Sequence, residues 1–91
     1  MANSAESNNI PHMDNNIMLL NLPDDEEGVV ISIHAGFKAT QRLGSLGITP
    51  GTRVRKVSTA PFRGPVQIEV RNSKLALGRG LASRIIVQRL K

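Results

Sequence analysis

The 91-residue chain contains no cysteine, tryptophan or tyrosine, and Phe37 and Phe62 are its only aromatic residues. Without cysteine, neither a disulfide framework nor a thiolate metal site can support the fold. One apolar core has to suffice, at a length near the lower limit for independent folding. Two phenylalanines cannot build the aromatic-lined groove that grips proline-rich peptides, nor the stacking platform of a single-strand nucleic-acid binder. No run of about 18 apolar residues is available to span a bilayer. The first residues are Asn, Ser and Glu where a secretory signal has a basic and then an apolar stretch, so a cytoplasmic location is expected.

Carboxylates are also scarce over most of the chain, because after Glu27 only Glu69 remains. Paired acids for general acid–base work are therefore missing. Ser32, Ser45, Ser58, Ser73 and Ser83 have no His–acid pair in their sequence context, and no glycine-rich loop ends in Lys-Ser or Lys-Thr to cradle a nucleotide phosphate. The expectation is a protein that is not an enzyme. A site for a divalent transition-metal ion would need histidines and carboxylates converging on the ion. His34 at a strand end and His12, with Met13 and Asp14 beside it, are a poor supply, so no stable metal site is expected.

Positive charge is abundant. All twelve Lys and Arg residues follow Gly28, whereas six of the seven acids precede it, and with Glu69 alone against them the stretch from Gly28 carries a net charge of +11. Such an excess attracts anionic partners. Phosphate contacts from Arg53, Arg55, Lys56, Arg63, Arg71, Lys74, Arg79 and Arg84 make nucleic acid the alternative functional reading, weakened by the missing aromatics.

Along the chain, residues 1–16 are polar and aperiodic and read as a flexible tail, followed by a single domain over 17–91. Ile17 to Leu22 form an apolar patch expected to pack on the domain as a leading strand or loop, and Pro23 with the acids after it forces a turn. Val29, Ile31 and Ile33 alternate with Val30, Ser32 and His34, which predicts a strand with the first set buried. Phe37 to Leu46 carries Ala39, Leu43 and Leu46 at helical spacing, with Phe37 expected in the core. Gly47 supplies the left-handed stop, and Ile48 folds back onto the last turn. Pro50-Gly51 turns the chain into a strand over Thr52 to Thr59. There Val54 and Val57 are three apart, implying a bulge or an exposed Lys56. Val66, Ile68 and Val70 alternate cleanly, Asn72-Ser73 permits a hairpin, Gly78 to Ser83 allows one helical turn, and Ile85 to Leu90 closes the chain as a strand. The predicted core is Val29, Ile31, Ile33, Leu43, Leu46, Val66, Ile68, Val70, Leu77 and Ile85. This pattern describes a mostly β fold, a closed or nearly closed barrel of about five strands with a short α-helix inserted after the first barrel strand.

The run Arg42-Leu43-Gly44-Ser45-Leu46-Gly47-Ile48-Thr49-Pro50-Gly51 resembles the FeoA family, in which a basic residue and Leu precede two variable residues, Leu-Gly, an aliphatic residue, one more, then Pro-Gly. Ala60-Pro61-Phe62 with Gly64-Pro65-Val66 is similar to the family's Ala-Pro, Gly, Pro-Ile loop. Leu75-Ala76-Leu77, Ala82 and Ile85 to Val87 resemble its closing hairpin. The likeness extends over about Leu20 to Leu90, with departures at Gly78, Gly80 and Lys56, the last standing where the family has an apolar residue. It implies an SH3-like barrel related to the C-terminal domain of DtxR-type metal-dependent repressors. It also implies a non-enzymatic accessory or regulatory role in ferrous-iron uptake, beside the FeoB membrane permease with its cytoplasmic GTP-binding domain. Recruitment to the inner face of the membrane by that partner, without membrane insertion, belongs to the same implication. The resemblance leaves room for transient contact with ferrous or another divalent ion and for a weak homo-oligomer. Lys38, Arg42, Phe62 and Arg63 are the expected partner-binding residues, Phe62 being either an exposed anchor or a side chain folded over the barrel mouth.

Overall fold

The structure is a computed structural model that describes residues 15–59 and 64–90. Most of the tail assigned to 1–16 lies outside these residues, as does the loop carrying Phe62 and Arg63. Six strands form one antiparallel sheet: β1 (Asn16–Met18), β2 (Glu27–Ile33), β3 (Arg53–Thr59), β4 (Val66–Val70), β5 (Ser73–Leu77) and β6 (Ile85–Arg89), in the order β1-β6-β2-β3-β4-β5. A 3-10 turn (Leu19–Asn21) follows β1. Helix α1 (Phe37–Ser45) lies between β2 and β3, and the single-turn α2 (Arg79–Ala82) follows β5. The apolar patch after Asn15 is thus a sixth strand, paired with β6 through Ile17↔Val87 and Met18↔Ile86. β1 and β5 end the hydrogen-bonded order, yet the 3-10 turn attached to β1 packs against α2 attached to β5. The two ends of the sheet are thereby brought together, and the concave face closes on itself.

Leu19, Leu22, Val30, Leu43, Ile48, Val54, Val66, Ile68, Val70, Leu77, Ala82, Ile85 and Val87 fill that face. Complete burial of such a branched side chain contributes about 1.5–3 kcal/mol relative to exposure. Six of the predicted core residues, namely Leu43, Val66, Ile68, Val70, Leu77 and Ile85, are among them. In β2 the predicted phase is corrected: Val30 is buried, Val29 is half-buried and Ile31 is 42% exposed. The reason is a register shift between Val30 and Ser32 against β6. A residue added to one strand reverses the inward–outward alternation beyond it. Val30 therefore faces inward before the shift and Ile33 packs on the core after it, while Ile31 is left outside.

A second shift, between Lys56 and Ser58 against β4, is the bulge that the spacing of Val54 and Val57 implied. Lys56 precedes the shift, in phase with buried Val54 and opposite buried Ile68, and so faces inward, at 5% exposure. The ammonium does not enter the core unpaired, because Nζ donates to the Leu20 carbonyl at 2.8 Å and ties the N-terminal segment to β3. Backbone bonds from Asp25 N to Lys56 O and from Lys56 N to Glu26 O continue that tie.

Two substitutions test this packing. A Cβ at Gly28 would lie 3.1 Å from the Gln88 carbonyl oxygen and from Val87 Cβ, neither of which is a flexible chain end. Gly28→Ala should therefore cost about 1–3 kcal/mol in denaturant unfolding, and a loss below about 0.5 kcal/mol would contradict the close approach of β2 to β6. Burial holds the Lys56 ammonium below its ordinary pKa of 10.5, an effect opposed by Asp24 and reinforced by Arg79. The folded chain then gives up the proton before the unfolded chain does, so this residue's contribution to stability rises with pH between its folded pKa and 10.5. Lys56→Met should match or exceed the parent in urea midpoint near pH ~7, with an advantage that shrinks as the pH climbs through that window. A marked loss at neutral pH would mean that the bond to Leu20 outweighs desolvation.

Candidate functional site

Helix α1 starts without a side-chain cap at Gly36 and stops in a well-formed C-terminal motif. Gly47 takes φ 91°, its N–H donates to Gly44 O at 3.0 Å, and Ile48 N donates to Leu43 O at 2.8 Å. This is the pairing of a Schellman motif, in which Leu43 and Ile48 bury their side chains together. Ile48 folds back onto the last turn as expected, whereas Leu46, expected in the core, is the cap residue and is 43% exposed. The loop after it is closed by Thr52 Oγ1, which donates to Gly47 O at 3.0 Å.

Leu43 is the only fully buried residue of α1. Phe37 precedes it by six residues, or about 240° around the axis, so it points away from the core. The expectation of a buried Phe37 is corrected accordingly: it is 80% exposed. The six-residue offset from Leu43 was the signal in the sequence that could have shown this. Lys38 and Arg42, one turn apart on the outer side, are also exposed and have no ion-pair partner among the described residues. The helix thus gathers Phe37, Lys38, Gln41 and Arg42 into one outward arc, and the structure does not describe the loop residues Phe62 and Arg63 that were expected beside it.

The basic surface is less uniform than the sequence implied. Asp24, Asp25 and Glu26 lie in a turn closed by Glu26 N–H donating to Pro23 O, with Asp25 at φ 67°, and the acids of 24–27 meet the arginines of the sheet. Arg55 bridges Asp25 at 3.3 Å and Glu69 at 3.0 Å, and Arg53 pairs with Glu27 at 3.3 Å. Arg89 grips Glu26 with two parallel hydrogen bonds of 3.0 Å. With Lys56 buried as well, three of the eight cations of the nucleic-acid reading are already occupied by the protein itself. Arg71, Lys74 and Arg84 remain exposed.

Among the described residues no three His, Asp or Glu side chains are grouped to hold a metal ion. His34 is exposed, with Nε2 2.9 Å from Ser32 Oγ. No helix among the described residues is long and apolar enough to cross a membrane.

The fold and this surface define a small SH3-like barrel with an inserted helix whose outer face is aromatic and basic. The chain belongs to the FeoA family: the FeoA domain profile matches residues 17–89. A protein of Methanocaldococcus jannaschii named "Putative Fe(2+) transport protein A" is 42% identical over 65 residues, covering 71% of this chain and 77% of that one. The crystal structure of an iron uptake regulatory protein (FeoA) superimposes with TM-score 0.76 at 35% identity, covering 82% of this chain and 99% of the other. The zinc complex of Stenotrophomonas maltophilia FeoA, described as a prokaryotic SH3 domain protein, gives 0.66 at 32% identity, covering 77% and 87%. The same barrel recurs within a manganese-dependent transcriptional repressor at 25% identity and TM-score 0.75, where it matches 42% of the longer chain and 82% of this one.

The cap of α1 is open to test. A Cβ on Gly47 would meet only Val70 Cγ1 at 3.9 Å, an ordinary contact, so the cost of Gly47→Ala is conformational. It should lower stability by about 1 kcal/mol, measured as a shift in denaturant midpoint with unchanged slope.

Proposed function

We propose that this protein is a non-enzymatic accessory protein of ferrous-iron uptake that docks on the cytoplasmic region of a FeoB-type permease through the outer face of α1. The observation that carries this reading is the pairing of a large exposed aromatic, Phe37, with the cations Lys38 and Arg42, which have no ion-pair partner among the described residues, on one helix arc. An aromatic surrounded by basic side chains is the composition of an interface anchor with a charged rim. The rigid cap at Gly47 and the seat of Leu43 hold that arc in a fixed orientation, which lowers the ordering cost of association. Phe62 and Arg63, which lie outside the described residues, are proposed as part of the same surface. Family membership and the Fe(2+) transport name carried by the archaeal relative support the assignment to iron uptake. The protein would then act at the inner face of the membrane, with ferrous iron as the permease's cargo.

Charge and anchor can be separated experimentally. Lys38→Glu, Arg42→Glu and Arg63→Glu together should leave stability within about 0.5 kcal/mol while slowing association with the purified cytoplasmic region and flattening its salt dependence. Phe37→Ala should act mainly by faster dissociation. Ferrous-iron uptake in cells carrying either variant should fall with binding. If both fold, bind and support uptake like the parent, this face of α1 is not the interface.

A further inference from the structure

An open groove of about 500 Å³ lies between the turn that follows α1 and the hairpin joining β4 to β5, lined by Thr49, Pro50, Gly51, Thr52, Arg53 and Arg71. None of these residues belongs to α1. Two of the six carry guanidinium groups and none carries a carboxylate.

The loop side of the groove has spent its own polar groups. Gly51 N donates to Val30 O, Thr52 N to Thr49 O and Thr49 N to Thr52 Oγ1. Thr52 Oγ1 is further held by Gly47 O, and Thr49 Oγ1 lies 3.1 Å from it. What the groove offers a ligand is therefore the two arginines. Arg53 is only loosely engaged, since its partner Glu27 sits at 3.3 Å and both side chains are well exposed, at 68% and 42%. A pair so open to solvent is weak and readily exchanged for a better anion.

Arg71 is the more informative residue. It occupies the first central position of the two-residue turn between Val70 and Ser73, with φ 50° followed by φ 71° at Asn72. That turn type calls for Gly, Asn or Asp at its first central position, and a long side chain there is conformationally disfavoured. Arg71 accepts the left-handed backbone without any carboxylate partner among the described residues, unlike Arg53, Arg55 and Arg89. The adjacent smaller groove shares Arg53 and Arg71 but also has Glu27 and Glu69 in its walls, which repel an anion.

We infer that the groove between Arg53 and Arg71 is a binding site for a phosphoryl oxyanion, clamped by the two guanidinium groups. Guanidinium forks match tetrahedral phosphate oxygens in charge and geometry. The same chemistry is presented by a free phosphate compound and by the headgroup of an anionic lipid.

The full chain titrated with inorganic pyrophosphate, followed by amide and arginine Nε NMR signals, should show saturable shifts confined to Gly51, Arg53, Arg71 and Asn72, with Kd below about 1 mM at ~0.1 M salt. Arg71→Asn supplies a residue suited to the turn, so it should fold at least as well as the parent while binding at least about tenfold more weakly. Sedimentation with phosphatidylglycerol vesicles, against phosphatidylcholine vesicles, distinguishes the sources. Saturable pyrophosphate binding without vesicle binding assigns a free phosphate ligand, and Arg71-dependent capture by phosphatidylglycerol vesicles assigns a lipid headgroup. Unsaturable shifts spread over Lys74, Arg84 and the other exposed cations, or pyrophosphate and vesicle binding by Arg71→Asn equal to the parent's, would overturn the site.

Discussion

A single antiparallel sheet with one nine-residue helix has little except itself to pack against, and every other feature of this protein depends on how that sheet curves. The two register shifts, at Ile31 in β2 and Val57 in β3, lie on neighbouring strands in the middle of the sheet order. A bulge bends the strand that carries it and increases its local twist. Curvature placed there lets the segments beyond the outermost strands, the 3-10 turn and α2, touch and complete the enclosure. The shift in β2 also reassigns a side chain, bringing Ile33 onto the core, whereas in β3 the charged Lys56 already lies inward ahead of the shift, in phase with Val54.

Burial of Lys56 joins this geometry to the N-terminal segment. Leu19 and Leu22 insert fully into the core, and between them the Leu20 carbonyl receives the lysine. The acids that follow then fall opposite β3 and β6, where Arg53, Arg55 and Arg89 await them. Charges that are segregated along the chain are interleaved in space. The long-range field of the net +11 is thus broken into paired stretches, leaving smaller cationic areas at α1 and around Arg71. A uniform basic face suited to following a phosphate backbone would need those arginines free.

The helix illustrates how folding and display share one set of residues. Leu43, Gly47 and Ile48 anchor α1 through its C-terminal motif, and the motif segment that marks the family in sequence is the segment that performs this anchoring. Because Leu43 alone is fully buried, most of the circumference of α1 remains in solvent. The helix thus contributes Leu43, with Ile48 beyond its cap, to the core while exposing most of its own residues.

Local patterns in the chain specify the mostly β class, the inserted helix and its stop at Gly47, the strand over Val66, Ile68 and Val70, and the kinship with FeoA. Each is a local signal: a clean period of two, a glycine suited to a left-handed cap, or a motif of fixed spacing. The phase of β2 was decided only by tertiary structure, since Val29, Val30, Ile31 and Ile33 are all apolar and either alternation satisfies a local reading. The pairing with β6 and the tight contact at Gly28 select one of them. Lys56 was legible as an irregularity, but its burial as a charged group depends on the Leu20 carbonyl, 36 residues away, accepting its hydrogen bond. The exposure of Phe37 was readable from its six-residue offset once Leu43 is taken as the buried residue, whereas the neutralisation of the arginines followed from the side of the sheet to which the acidic turn was delivered. Such contacts between residues distant in the chain are set by the closure of the sheet, which no local period encodes.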